Sequence, residues 1–322
     1  MRKWIRRHLP ENVLAILRRI RLTLLRARVK MVHAGFAAIG LNIVKRKDFY
    51  SPIPDIGELA KNRSRWERPS ALKGIRFDPD SMRSELSRLH CKWGEEYERE
   101  AGDFEANQKR GFGHGYTRFD ARLLYYMLRE LEPSRYLEIG SGLSTYYASL
   151  ATRAKSSKGR TTRITCVEPY PFPVLESIAG ITIRRDFAQN IPISAFSELE
   201  AGDVLFIDSS HMLKIDSDVA WILLEVLPIL RPGVVVHLHD VPFPYNTPYP
   251  SKRWIFGDGW PMYWNEAMAV QAFLCFNTEF EIVMSAPLLR YADEHYFLST
   301  FRDYTSMDRE ENPFSSLWIR RV

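Results

Sequence analysis

Four stretches of this 322-residue chain carry side chains whose types and spacing could do chemistry, and each follows a run of apolar residues. Glu138-Ile139-Gly140-Ser141-Gly142-Leu143-Ser144-Thr145 puts an acid and two glycines into one turn. Gly140 and Gly142 let the backbone turn tightly and approach a ligand with no side chain in the way. Val167-Glu168-Pro169 ends the next apolar run, and Gly140 to Glu168 is a spacing of 28 residues, which suits one β-α-β unit. A carboxylate there can accept hydrogen bonds from both hydroxyls of a ribose. Phe206-Ile207-Asp208, with His211 three residues on, and His237-Leu238-His239-Asp240 place two aspartates and two histidines at neighbouring strand ends, His237 and His239 sharing one face.

Two cofactor chemistries fit a glycine turn followed by a strand-end acid. A nicotinamide dinucleotide asks for G-x-G-x-x-G or Ala, and here Thr145 stands at the last small position. The acid that opens the loop, Glu138, suits the positive amino or sulfonium end of S-adenosylmethionine (SAM) better than it suits a pyrophosphate. The residues therefore favour SAM, with Glu138, Gly140, Gly142, Thr145 and Glu168 as cofactor-binding candidates; the plain alternative is a structural turn in a non-binding domain. Methyl transfer from a sulfonium needs alignment of donor and acceptor and, for a hydroxyl, a proton acceptor. His211, His239 and Asp240 are the catalytic candidates, each with an ordinary structural role as its rival. Asp208 with His239 or Asp240 could instead hold a divalent cation such as magnesium that lowers the pKa of the hydroxyl, which makes Asp208 and Asp240 the metal candidates.

These residues need a scaffold, and the pattern supplies one. Helix-like 119–131 stops at Pro133, and strand 135–139 follows. Then come a helix over 144–154, strands 164–168, 181–185 and 203–208, a long helix over 214–230, strand 234–239, a helix over 263–276 and β-like segments at 280–286 and 295–301. Short apolar strands alternating with helices predict a parallel α/β sheet. The chain divides into a basic amphipathic leader, 1–49, a cap region, 50–117, and a sheet domain, 118–322. Residues 242–264, with Trp254, Trp260, Tyr263 and Trp264, are too long for an ordinary connection and predict a lid or acceptor loop, or simply a well-packed one.

On the segments YLEIGSGLST, CVEPYPFPVL, GDVLFIDSSH, LPILRPGVVVHLHD and WNEAMAVQAFL, the sequence resembles the bacterial class I SAM-dependent methyltransferases of the methyltransferase 24 type, close to the cephalosporin hydroxylase-like and macrocin-like O-methyltransferases. YSPIPD and FDARLLYYML are similar too, so the resemblance spans about residues 49–300 and leaves the leader outside. It implies a Rossmann-like seven-stranded sheet with a reversed final hairpin, preceded here by an N-terminal helical extension. It implies that Glu138, Gly140, Ser141 and Gly142 cradle the methionine part of SAM, that Glu168 holds the ribose and that Asp208 lies beside the methyl group. The HLHD segment departs from the two adjacent acids usual in the related cation-using enzymes.

Charge separates the leader from the rest. Residues 1–48 hold 13 Lys or Arg and two acids, a net +11, while the remainder carries 32 basic and 37 acidic groups, a net −5. The basic pI therefore belongs to the leader, and nucleic acid is excluded as the partner of the body. Val13, Ile16, Leu17, Ile20 and Leu24 form one apolar face, which predicts a helix lying on an anionic membrane or packed on a protein. No secretory signal or membrane-spanning run is evident, and Cys91, Cys166 and Cys275 read as reduced thiols. The expectation is a cytoplasmic protein, at the inner face of the membrane if the leader binds there, that methylates a small-molecule or glycan hydroxyl. A non-catalytic, membrane-associated SAM-binding protein and a nicotinamide oxidoreductase are the competing readings.

Overall fold

In the computed structural model, which describes residues 10–46, 48–153, 161–307 and 313–322, the chain forms two compact units, Met1–Arg63 and Ser64–Val322. The first is built on one helix, Glu11–Ala37, none of whose residues is buried, followed by a short helix Ile56–Lys61 capped by Asp55. Among the described residues no helix is long and apolar enough to cross a membrane.

The second unit is a seven-stranded sheet in the order β3-β2-β1-β4-β5-β7-β6. β1 (Arg135–Ile139), β2 (Arg163–Val167), β3 (Ile181–Arg184), β4 (Val204–Ile207) and β5 (Val235–Leu238) run parallel. β7 (Leu317–Arg321) lies antiparallel to β5, and β6 (Phe280–Ser285) antiparallel to β7. Every residue of β4 and β5 is buried, as helix-covered parallel strands require. The order reverses between β1 and β4, the point at which open α/β sheets bind ligands. The ladder continues one residue past these strands: Asp208 N donates to Ile139 O at 2.9 Å and His239 N to Ile207 O at 2.9 Å. This sets Gly140, Asp208 and His239 side by side on one edge.

Helix Arg118–Leu131 is buried from Phe119 to Arg129. Its two core arginines are paired, as buried charge must be. Arg122 makes a two-pronged contact with Asp303 at 2.7 and 2.8 Å, and Arg129 reaches Glu96 on helix Pro79–Glu100 at 2.5 Å. The same helix brings Asp120 into the sheet layer.

Three elements differ from the sequence reading. Residues 294–300 form a helix, not a strand, because Asp293 caps it through Tyr296 N and Phe297 is buried against Phe119, Phe301 and Phe314. The strand that completes the sheet is instead Leu317–Arg321. The expected long helix over 214–230 begins only after the Ser217 cap, runs as an α-helix over Asp218–Trp221, widens to a π-turn over Ile222–Val226 and ends in a 3-10 turn at Leu227–Ile229. Pro228 lacks the N–H that would continue the α-helical ladder.

Candidate active site

The loop after β1 is braced from beneath. Glu138 is fully buried, and its oxygens accept Ser144 Oγ at 2.5 Å, Thr145 Oγ1 at 2.8 Å and Cys166 Sγ at 3.4 Å. Thr145 Oγ1 in turn accepts Gly142 N at 3.1 Å. Burial pushes the Glu138 carboxyl up to about 8 although these donors favour its charged form. Glu138 and Thr145 thus lie under the loop and hold its shape. Ser141 Oγ is buried with no hydrogen-bond partner among the described residues.

The two glycines are fixed by close approaches. Gly140 has φ +91°, and a Cβ on it would lie 2.2 Å from the carbonyl oxygen of Asp208. A Cβ on Gly142 would lie 2.6 Å from the carbonyl oxygen of Phe112, so a chain segment, rather than open ligand space, forbids a side chain there.

Between the ends of β1, β2 and β4 opens a cavity of about 440 Å³. Gly140, Glu168 and Asp208 line its floor, with Tyr170, Phe187 and Gln189 on the wall. Glu168 is half-buried, and one oxygen accepts Tyr170 N at 2.9 Å. Burial raises its carboxyl. Tyr170 and Phe187 meet edge to face at 6.1 Å yet remain 77% and 47% exposed, an aromatic wall open to a planar ring. Sequence reasoning missed this wall; its signals were the aromatics directly after the ends of β2 and β3. A larger hollow of about 1090 Å³, along His90, Glu98, Arg122 and Phe301, shares no residue with the strand ends.

Beside the cavity, the ends of β4 and β5 bring together Asp208, His211, His239 and Asp240. His211 Nε2 lies 3.2 Å from Asp208 Oδ1 and 3.4 Å from Asp240 Oδ2. His239 Nδ1 lies 3.5 Å from Asp208 Oδ1 and 3.7 Å from Asp240 Oδ1. Each imidazole has a buried carboxylate behind it, and neither was found from sequence. Glu266 Oε2 is 2.7 Å from His211 Nδ1, and Asp120 Oδ2 is 3.4 Å from His239 Nε2. Asp120 also accepts Thr117 Oγ1 at 2.6 Å and Ser316 Oγ at 2.7 Å. His211 and Asp240 both sit in the left-handed region, at φ 58° and 57°, an uncommon backbone for such residues that gathers at functional sites.

The electrostatics follow the geometry. Burial opposes charge on both imidazoles, but the surrounding carboxylates outweigh it and hold His211 and His239 well above the usual histidine range. Burial also opposes the Asp208 carboxylate, yet His239 and His211 keep its carboxyl well below the ordinary value. His237 stands apart: it stacks on Trp318 at 4.3 Å, neither nitrogen has a partner among the described residues, and burial and His239 lower it to about 3. From the aromatic segment 242–264, Trp264 packs 4.5 Å from the His211 ring and 5.6 Å from Trp254, while Trp260 is exposed.

Residues 137–241 match a family described as a methyltransferase domain. Among curated proteins no sequence matches the chain. Among solved structures it is similar to the O-methyltransferase TomG of Streptomyces achromogenes, involved in tomaymycin synthesis and solved with SAM, at 14% identity over 77% of this chain and 91% of that one, TM-score 0.40. It is also similar to an O-methyltransferase of Bacillus cereus solved with S-adenosylhomocysteine (SAH), at 13% identity over 68% and 87%, TM-score 0.39. A third is the SAH-bound methyltransferase PaMTH1 of Podospora anserina, at 15% identity over 84% and 99%, TM-score 0.37. The family match lies on β1 to β5 and the loops between them, the stretch that holds the strand-end residues described above.

Proposed function

We propose that the protein transfers a methyl group from SAM to the hydroxyl of a small-molecule or glycan acceptor. The observation that carries this reading is the meeting of two carboxylate-backed histidines with Asp208 and Asp240 beside the cavity lined by Gly140 and Glu168. The cavity suits SAM: Glu168 would accept the ribose hydroxyls, the Tyr170–Phe187 wall would stack on the adenine, and Ser141 Oγ, without a partner among the described residues, would donate from the loop.

The acceptor oxygen attacks the methyl carbon in line with the departing sulfur. The carbon–sulfur bond breaks with its electron pair on sulfur, which leaves SAH, and the hydroxyl proton passes to a base. His239 is that base in this proposal once the neighbouring aspartates are neutralised: Asp120 holds Nε2, while Nδ1 is buried, has no hydrogen-bond partner among the described residues and faces Asp208 and Asp240. A positioned base of this kind contributes roughly 10²–10⁴-fold. His211, Asp208 and Asp240 could hold a divalent cation, their ligand atoms lying within 4.8 Å of one another. When bound, such a cation lowers the pKa of an acceptor hydroxyl and neutralises the two aspartates that otherwise keep His239 charged.

Trp254 and Trp264 offer apolar faces to a sugar or aromatic acceptor, and the basic leader, read as a peripheral membrane contact, would bring the enzyme to lipid-linked saccharides. Turnover of methyl-labelled SAM across glycans and small phenols tests the reading. The expected result is label on an acceptor hydroxyl, lost in His239→Ala while SAH still binds. SAH binding with no turnover on any acceptor would make the protein a binding module, and NADH binding in place of SAH an oxidoreductase.

A further inference from the structure

Two adjacent serines lead into β7, and each bonds a different carboxylate beside His239. Ser316 Oγ donates to Asp120 Oδ1 at 2.7 Å, and Ser315 Oγ to Asp240 Oδ1 at 2.8 Å. Asp120 lies against Nε2 of His239, and Asp240 faces its Nδ1. We propose that Ser315 and Ser316 are positioning residues for methyl transfer, holding in place the two carboxylates that flank His239. This rests on the reading of His239 as the base and goes beyond it by assigning the residues that fix its surroundings.

The register of the sheet explains how one dipeptide reaches both carboxylates. β7 runs antiparallel to β5 with Leu317 opposite Leu238. Continued past these residues, that register sets Ser316 opposite His239 and Ser315 opposite Asp240. Val241 N donates to Ser315 O at 3.0 Å, so the two chains stay together beyond the strands themselves. Successive side chains of an extended segment point to opposite faces. One serine therefore turns toward helix Arg118–Leu131, which carries Asp120, and the other toward Asp240.

The individual oxygens support the assignment. Asp240 Oδ1, which Ser315 holds, is the oxygen 3.7 Å from His239 Nδ1, while its Oδ2 lies 3.4 Å from His211 Nε2. On Asp120, Ser316 takes Oδ1 and leaves Oδ2 beside His239. Thr117 also donates to that Oδ2, at 2.6 Å, but it is the N-cap of the helix that carries Asp120 and moves with it. Ser316 instead reaches Asp120 from the sheet on which His239 stands.

Packing alone does not ask for hydroxyls here. Ser316 is fully enclosed and Ser315 nearly so, and alanine would fill almost the same space. Among the described residues neither hydroxyl has another hydrogen-bond partner. A hydroxyl bonded to an ionised carboxylate makes a stronger and more directional contact than one between neutral groups, which suits it to fixing the plane of that carboxylate.

The test is the labelled-SAM assay on the full-length chain, with whichever phenol or glycan of the screen takes the label. Ser316→Ala and Ser315→Ala should each lower kcat about tenfold, with KM and SAH affinity within about twofold of the wild type. Ser315→Thr keeps the hydroxyl and should hold kcat within about threefold of the wild type. A double-mutant cycle supplies a readout that a merely structural role would not move. Once Asp120→Ala is in place the carboxylate that Ser316 holds is gone, so adding Ser316→Ala should cost less than about twofold more. Losses that multiply in the double variant, or an unaltered kcat in both alanine variants, overturn the assignment. A fall in SAH affinity that matches the fall in kcat also overturns it, since the serines would then brace the fold. If Ser316→Ala does not fold, Ser315→Ala against Ser315→Thr decides, and equal kcat in that pair overturns the assignment. A wild type that binds SAH and labels no acceptor removes the methyltransferase reading, and this assignment with it.

Discussion

Asp120 and His239 stand 119 residues apart in sequence and meet inside the protein, Asp120 Oδ2 3.4 Å from His239 Nε2, with neither side chain measurably open to solvent. Asp120 comes from the first turn of helix Arg118–Leu131, and His239 from the end of β5. Thr117 and Ser316 hold the carboxylate, and the ring of Tyr116 packs on the imidazole at 4.8 Å. The contact sets which nitrogen of His239 faces Asp208 and Asp240.

Asp120 is therefore a positioning residue for the proposed base. We predict that Asp120→Ala lowers kcat by about 10–100-fold, part of what a positioned base supplies, with KM and SAH affinity nearly unchanged. Steady-state kinetics with SAH calorimetry checks this. An unaltered kcat would remove His239 from the proton path, and a rise in KM alone would assign Asp120 to acceptor binding.

The glycine loop makes a second prediction, whose reason lies in the fold. Gly140→Ala would force a non-glycine residue to φ +91° and set its Cβ 2.2 Å from the Asp208 carbonyl oxygen. Gly142→Ala would set a Cβ 2.6 Å from the Phe112 carbonyl oxygen. Backbone must move in both cases, at a cost on the order of 1–3 kcal/mol. Both variants should lose at least tenfold in SAH affinity, and Gly140→Ala should also melt several degrees lower. Gly115→Ala, whose Cβ would meet nothing within 4 Å and whose backbone is not in the left-handed region, should keep SAH affinity within a few-fold. SAH affinity unchanged in Gly142→Ala would show that the close approach of the Phe112 carbonyl does not set the loop's binding shape.

Glu138 gives a pH dependence with a definite sign. Burial raises its carboxyl to about 8 in the folded chain, against 4.5 ordinarily. The folded state then binds this proton more tightly than the unfolded state, so its contribution is whole below pH 4.5 and is lost as pH rises to 8. Glu138→Gln mimics the protonated form and should flatten that decline. The melting temperature of the variant should equal the wild type near the acid end of the window and exceed it by several degrees at the alkaline end. Calorimetry across that range measures the difference. A variant less stable than the wild type at the alkaline end would show that the ionised carboxylate is the form the loop needs.

Strands β1 to β5 were legible within about a residue because each is a short apolar run bounded by turn residues, and β4 and β5 are buried throughout. The end of the sheet was not. The segment His295-Tyr296-Phe297-Leu298 is apolar at both the strand and the helix period, and Asp293 decides for the helix through a cap. The acids and histidines at the strand ends could be named from sequence because they directly follow those runs. Glu266 and Asp120 could not, since pairing across 55 and 119 residues is set by tertiary packing alone. Glu138 was visible as an acid before a glycine loop, but only the structure shows its oxygens already held by Ser144 and Thr145.

The last prediction concerns the leader, taken by itself. Helix Glu11–Ala37 buries none of its residues, yet Ile16, Leu17, Ile20, Leu24 and Met31 line one side of it, and Leu22, Leu25, Val29 and Phe36 form a second strip. The first strip, which runs the length of the helix with basic residues beside it, suits the boundary between lipid headgroups and acyl chains. Arg21 and Arg28 stand beside the first strip, where long side chains can lay their stems on apolar surface and hold the charge in water. Each Lys or Arg near an anionic surface contributes roughly 1 kcal/mol, so a few of the 13 cations in residues 1–48 suffice to hold the protein there. Packing against a second copy of the same helix would set like charges together, which disfavours that partner. We predict that the full chain floats with anionic vesicles at low salt, is released at high salt and ignores neutral vesicles, and that a chain lacking residues 1–48 stays in solution while SAH affinity is unchanged. Flotation of the truncated chain with anionic vesicles, or none by the full chain, would rule out the membrane role and leave the exposed apolar face to a protein partner.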